Sequence, residues 1–359
     1  MQTNSFLLYG ANGYTGELIA RYASEYNLNA ILAGRRKEVI EPLANKLNLP
    51  YKIIDVNDTT NLLAALKEVK VVVNAAGPFQ FTAKQIIEGC LQTGTHYLDI
   101  NGDISVFEMI KKYDAAAKKA GIMLLPGSGF DVVPTDCIAL HLKQLLPDAV
   151  SLQLAFATLD GGLSHGTATT MVSKLGQGGA TRKNGKIIPE ALGKKGMWVD
   201  FPTGSGGGMK KLFVMSIPWG DISTAYSSTG IPDIESYTGM SRKVFYLLKF
   251  QFLFNWLLRT NLVRNYLKKK INKRPAGPSD EQREKAINLV WGKATNAAGK
   301  SVIVRLSGPE GYSLTTFATL LIVQKIFSGN FLTGYQTPSS AYGENFVMEI
   351  PEVKREIVT

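Results

Sequence analysis

The chain has 359 residues, 45% of them apolar and 19% charged, with two cysteines and a formal net charge of +11. That profile excludes a disordered chain and a disulfide-built scaffold, and the length predicts two domains that each bury a core. The excess charge is local: between Arg242 and Arg274 lie ten basic residues and no acidic ones, and the remainder of the chain carries only +1. Without an RNA-binding signature, such a stretch predicts a lipid surface or an anionic substrate and no nucleic acid.

Met1-Gln2-Thr3-Asn4-Ser5 has no basic leader, so the expectation is a cytoplasmic protein without a signal peptide, possible contact with a membrane being peripheral. The apolar run Phe6-Leu7-Leu8-Tyr9 predicts a strand, and a helix with Leu18, Ile19, Tyr22, Ala23 and Tyr26 on one face follows. Between them stands Gly10-Ala11-Asn12-Gly13-Tyr14-Thr15-Gly16, spaced G-x-x-G-x-x-G. Gly10 suits a tight turn, Asn12 and Gly13 a positive φ, and Gly16 a close helix approach. Free N–H groups at the helix N-terminus, with the Thr15 hydroxyl, suit a diphosphate.

Strand and helix patterns alternate to about residue 125, with strands expected at 5–9, 29–33, 51–55, 71–74, 96–100 and 122–125. This predicts an α/β fold, a Rossmann-type doubly wound parallel sheet. Nineteen residues past Gly16, Gly34-Arg35-Arg36 stands where an NAD enzyme presents a carboxylate to the ribose. Arg35 and Arg36 can pair with a 2′-phosphate, so the expected cofactor is NADPH. Asp55 and Val56 after the third strand, and Ala75-Ala76-Gly77-Pro78 after the fourth, lie at strand carboxyl ends where a dinucleotide passes. For Asp55, a helix cap or turn role is equally open.

These residues are joined by Gly94-Thr95-His96-Tyr97-Leu98-Asp99, by Gly127-Ser128-Gly129-Phe130-Asp131-Val132-Val133-Pro134-Thr135-Asp136, by Gly166-Thr167-Ala168 and by Gln336-Thr337-Pro338-Ser339-Ser340-Ala341. Together they resemble the saccharopine dehydrogenase-like oxidoreductases, in particular the branch of trans-acting enoyl reductases. The resemblance implies a nicotinamide-dependent oxidoreductase, and that branch implies reduction of carbon–carbon double bonds in lipid or polyketide chains. True saccharopine reductases are less similar, because their phosphate loop usually has the G-x-G spacing.

A hydride transfer of this kind needs a proton donor opposite the nicotinamide, for which Tyr97 and Asp131 are the candidates; a buried Tyr and a capping Asp are the alternatives. Cys137 and His141, four apart on a predicted helix, form a rival nucleophile and base pair, although their neighbours look like core. From Ser151 the pattern turns to strands and glycine-rich connections, and Gly204-Ser205-Gly206-Gly207-Gly208 reads as a lid. The hairpin expected at 287–307 would help build a second, largely antiparallel α+β domain.

Residues 244–258 predict one apolar helix with Gln251, Asn255 and Arg259 on a polar stripe. At fifteen residues it is too short to span a bilayer, so it suits a dimer interface or a membrane interface. Thr337 and Pro338 predict a helix running to about Glu349 that returns to the first domain. The expected division is 1–130 with 335–359 for cofactor, and 131–334 for substrate and a homodimer interface, the latter containing the basic segment 242–274. No metal site is expected from three scattered histidines. The function expected is NADPH-dependent reduction of a small, apolar enoyl or acyl-chain substrate; the alternatives are a saccharopine-type imine or amino-acid reductase and a lipid-associated cofactor-binding protein without turnover.

Overall fold

A computed structural model describes residues 4–202 and 208–358, so all but Gly208 of the expected lid lies outside the described residues. The chain divides into two units, residues 1–133 with 312–342 and residues 134–311 with 343–359.

The first unit is built on a seven-stranded parallel sheet: β1 (Ser5–Tyr9), β2 (Asn29–Gly34), β3 (Tyr51–Ile53), β4 (Val71–Asn74), β5 (His96–Asp99) and β6 (Met123–Leu125), with β15 (Gly334–Tyr335) on the edge. Its order is β15-β6-β5-β4-β1-β2-β3, which reverses direction between β1 and β4. All four residues of β4 are buried, as a sheet covered on both faces requires. Alternate residues Leu7, Tyr9, Val72, Tyr97 and Leu124 share one cluster with Ile86, Ile87 and Cys90 of the helix Ala83–Thr93.

The segment that completes this unit differs from expectation. It is the helix Gly311–Phe327, with β15 and the short helix Pro338–Tyr342, and not 335–359. Thr337 caps as expected by accepting from Ser340 N, but the helix stops at Tyr342 beside Gly343, whose φ is +82°. A 3₁₀ turn at Phe346–Glu349 follows, and the last strand joins the second unit.

The second unit holds a nine-stranded mixed sheet. Its strands are β7 (Ala149–Leu159), β8 (Gly179–Lys183), β9 (Lys186–Glu190), β10 (Gly196–Pro202), β11 (Met209–Ile217), β12 (Asp233–Gly239), β13 (Ile287–Asn296), β14 (Ser301–Pro309) and β16 (Lys354–Val358). The main path runs β10-β11-β12-β7-β13-β14-β16, antiparallel except for β12 beside β7, with the β8–β9 hairpin attached to β12. The hairpin β13–β14 forms as expected, its strands flanking the turn 297–300.

The single helix expected at 244–258 is broken into Arg242–Lys249, a 3₁₀ turn Gln251–Leu253 and Asn255–Leu258, followed by a helix Asn261–Ile271. Its polar stripe faces inward: Gln251 Nε2 donates to Leu192 O, Arg259 Nε to Gly176 O and, one turn on, Arg264 to Leu175 O. Phe245 is buried, but other large apolar residues face solvent, with Leu247 68%, Trp256 71% and Leu262 84% exposed. Among the described residues, no helix is long and apolar enough to cross a membrane.

Candidate functional site

At the carboxyl end of β1 the chain turns through Gly10, whose φ of +85° is the positive value the turn needs; Gly13, at −74°, does not take one. Gly10 N donates to Ala33 O of β2 at 2.8 Å, and Ala75 N, just past β4, donates to Tyr9 O at 2.7 Å. Three strand ends are thereby drawn together. A Cβ added at Gly10 would lie 2.6 Å from Ala76 N, and one at Gly16 would collide with Gly10 O and Ala11. Glycine at 10 and 16 therefore lets the helix Tyr14–Tyr22 press its first turn against the loop, which in turn presses against Ala75-Ala76.

No side chain caps that helix at Gly13, so its positive end is offered to a ligand. Tyr14 packs edge-on against Tyr312, with ring centroids 4.9 Å apart, which holds the first helical residue in place. A narrow backbone cradle with an uncapped helix end fits a dinucleotide diphosphate.

Arg35 and Arg36 follow β2, both exposed, and among the described residues neither meets a carboxylate within ion-pair distance. Arg36 is the residue before the helix Lys37–Leu47 and makes no cap with its side chain. Two unpaired guanidinium groups at this strand end are poised for a phosphate. Asp55 is exposed and accepts from Asn57 N and Nδ2, both at 2.9 Å, so it makes the turn that was its alternative role. Val56 is buried beneath it, and Gly77 and Pro78 are exposed beyond Ala76.

The proton-donor candidates part company. Tyr97 is wholly buried in the sheet's core, its hydroxyl donating to Asp99 Oδ2 at 2.8 Å and accepting from Asn74 Nδ2 at 3.2 Å. Burial pushes the phenol well above its ordinary range and the Asp99 charge adds to this, which matches the buried tyrosine that was the alternative reading. Asp131 is partly exposed, and its Oδ2 crowds Gly102, where a Cβ would lie 2.6 Å away. It stays available.

Asp99 is the residue whose role the sequence did not reveal. Its Oδ1 accepts from Asn101 N, Asn101 Nδ2 and Gly127 N at 3.0, 2.7 and 3.0 Å, while Oδ2 takes Tyr97. Burial raises its carboxyl, and those four donors pull it back. The bonds tie the ends of β4, β5 and β6 into one buried polar network. Positions 97 and 99, two apart on a strand, share a face, and that periodicity was the available signal.

The rival pair in the second unit lacks the needed chemistry. Cys137 is fully buried, with its thiol pushed well up by burial, whereas a nucleophile needs a lowered one. Burial lowers His141, aided by Arg355. Asp136 accepts from Ser228 Oγ at 2.8 Å within the same unit.

Residues 6–125, within the first unit, match the family model described as Saccharopine dehydrogenase NADP binding domain. A saccharopine dehydrogenase-like oxidoreductase of Mus musculus is 28% identical over 202 residues, which covers 49% of this chain and 47% of the relative. A trans-acting enoyl reductase of Mycobacterium ulcerans is 26% identical over 161 residues, 43% of this chain and 38% of that one. The chain thus spans about half the length of the curated relatives it matches. An apo saccharopine dehydrogenase (L-Glu forming) from Saccharomyces cerevisiae has the same fold, with a TM-score of 0.69 at 14% identity over 99% of this chain and 100% of that one.

Proposed function

We propose that this chain is an NADPH-dependent oxidoreductase acting on an apolar substrate, an enoyl or acyl-chain intermediate. The observation that carries the cofactor choice is the unpaired Arg35 and Arg36 beside a backbone cradle that only glycine at 10 and 16 permits. Bound NADPH would supply the hydride. The chain's own part is to hold the diphosphate on the backbone from Gly10 to Gly16, to neutralise the 2′-phosphate with the two arginines, and to line the dinucleotide's course with Asp55, Val56 and Ala75 to Pro78. Asp131 is the proton donor this reading retains.

Support for an apolar substrate comes from the inverted stretch 242–271, whose outward Leu247, Trp256 and Leu262 suit peripheral contact with a lipid surface. An imine reductase of the saccharopine type would hold substrate carboxylates with spare arginines, and Arg182, Arg283 and Arg305 of the second unit are each engaged within the fold. Arg182 is buried over Tyr226 and donates to Ile222 O and Gly185 O; Arg283 pairs with Asp280, and Arg305 approaches Glu356.

Calorimetry with NADPH and NADH tests the reading. NADPH should bind at least tenfold more tightly, and Arg35→Ala with Arg36→Ala should erase the difference, each charge-assisted contact contributing about 1.5 to 3 kcal/mol. Equal affinity for both carriers in the unaltered chain would overturn the NADPH assignment. Tight NADPH binding without hydride transfer to any enoyl or imine substrate would leave a binding protein without turnover.

A further inference from the structure

On the edge of the second sheet, Val199 of β10 and Val214 of β11 face the core, which turns the cross-strand pair Trp198 and Phe213 to the opposite face. There the two rings meet edge to face with centroids 5.5 Å apart. Phe213 stands 5.0 Å from Phe245 of the helix Arg242–Lys249, and Phe245 stands 5.4 Å from Tyr246. These four rings line an open cavity of about 700 Å³ lying wholly within the second unit. Trp198 remains 52% exposed and Tyr246 47%, so the wall is largely uncovered.

The charges around it are one-sided. Lys194 pairs with Glu190 and Lys195 with Glu235, and those carboxylates line the neighbouring cavity, together with Asp233 paired to Lys183. In that neighbour every carboxylate has a lysine partner. The aromatic cavity, in contrast, has no carboxylate in its lining. Its other two cations are Arg242, which lies over the Tyr246 ring and donates to its hydroxyl at 3.1 Å, and Lys249 over Phe245. Neither has an acidic partner among the described residues. The bland alternative, an aromatic patch covered by salt-bridged side chains, does not account for two cations left unneutralised at its mouth.

We propose that this cavity is a binding site for a single amphiphilic anion, an acyl chain carrying a phosphate, sulfate or carboxylate. The chain lies along Trp198, Phe213 and Phe245, and the head pairs with Arg242 and Lys249. Its size falls within the range of small-molecule sites, and the combination of an apolar body with a few convergent charges is the composition such sites show. The site involves no residue of the first unit, so its failure leaves the NADPH assignment standing.

The test titrates the full chain with dodecyl phosphate below its micelle concentration and follows tryptophan emission. A saturable one-site response is expected, lost in Trp198→Phe, and at least tenfold weaker in Arg242→Gln with Lys249→Gln. Inorganic phosphate and dodecyltrimethylammonium should bind at least tenfold more weakly than dodecyl phosphate. Melting curves and NADPH binding of the same variants confirm that they fold. Equal binding of the cationic amphiphile, unchanged affinity in the double glutamine variant, or a response only to phosphatidylglycerol vesicles would each overturn the proposal, the last in favour of a lipid-surface contact.

Discussion

At the carboxyl ends of β4, β5 and β6, polar side chains are buried and bonded to one another: Asn74 to Tyr97, Tyr97 to Asp99, and Asp99 to Asn101 and Gly127. Across residues 242–271 the arrangement is inverted, with Gln251, Arg259 and Arg264 reaching inward to backbone carbonyls while Leu247, Trp256 and Leu262 meet water. In the first region, buried polar groups find their partners within the fold, because an unpaired one costs ~1 to 3 kcal/mol. In the second, Leu247, Trp256 and Leu262 stay largely uncovered. The contrast separates a region whose polar groups are satisfied by the chain itself from one that leaves large apolar side chains uncovered.

The largest effect that breaks this contrast is at Asp99. Asp99→Ala leaves Tyr97 Oη, Asn101 N and Gly127 N without their shared acceptor, and the first unit should lose roughly 3 to 5 kcal/mol, read by denaturant unfolding. Asp99→Asn keeps one oxygen for the Asn101 and Gly127 donors and removes a buried charge, so it should cost about 1 kcal/mol. Equal losses would show that the network does not work as described.

A middle-sized effect comes from His96 on the same strand. Its Nδ1 accepts from Met123 N at 3.0 Å, and burial, with Lys70 nearby, lowers the ring to about 4. The folded chain keeps this ring neutral while the unfolded chain protonates it near pH 6.5. Its share of stability is therefore complete above that pH and drains as pH falls toward 4, by up to ~3 kcal/mol at 1.36 kcal/mol per unit. The raised Asp99 carboxyl works in the opposite sense, favouring the fold as pH falls through the carboxylate range. His96→Asn, which preserves an acceptor, should flatten the pH dependence of unfolding between 6.5 and 4. An unchanged profile would assign the acid sensitivity elsewhere.

The smallest effect is expected in the second region. Trp256→Ser and Leu262→Ser remove large side chains that touch little, so unfolding should shift by less than about 0.5 kcal/mol. Recovery on anionic vesicles in a flotation assay should nevertheless drop several-fold. A large stability loss, or undiminished flotation, would dissolve the contrast.

How much of this was legible in the sequence follows the same division. The strands of the first sheet, the crowding at Gly16 and the exposed arginines after β2 could be read because backbone geometry dictates them locally. The helix Gly311–Phe327 could not: Leu314, Ala318, Leu320, Ile322 and Val323 are buried around most of its circumference, and without a polar face there is no periodicity to find. Missing it misplaced the domain division. The burial of Tyr97 could be named as an alternative and not decided, since a tyrosine in such a strand looks the same whether it faces a substrate or the core. In the stretch 244–258 the polar stripe was identified correctly and its direction was not, because a hydropathy pattern cannot say which face the neighbours will occupy.

The path of the chain carries a last consequence. It leaves the first unit after Val133, re-enters at Tyr312 and leaves again after Tyr342. Phe130 N donates to Thr315 Oγ1 at 2.9 Å, and Ser128 Oγ bonds Thr319 Oγ1 at 3.0 Å, so the loop after β6 is anchored by residues nearly two hundred positions later. A protein ending at Val133 would keep the glycine cradle yet lose that anchor, and one ending at Tyr342 would strip β16 from β14 and open a new sheet edge. Neither cut yields a self-sufficient half; each unit waits during synthesis for a piece that follows a stretch of the other.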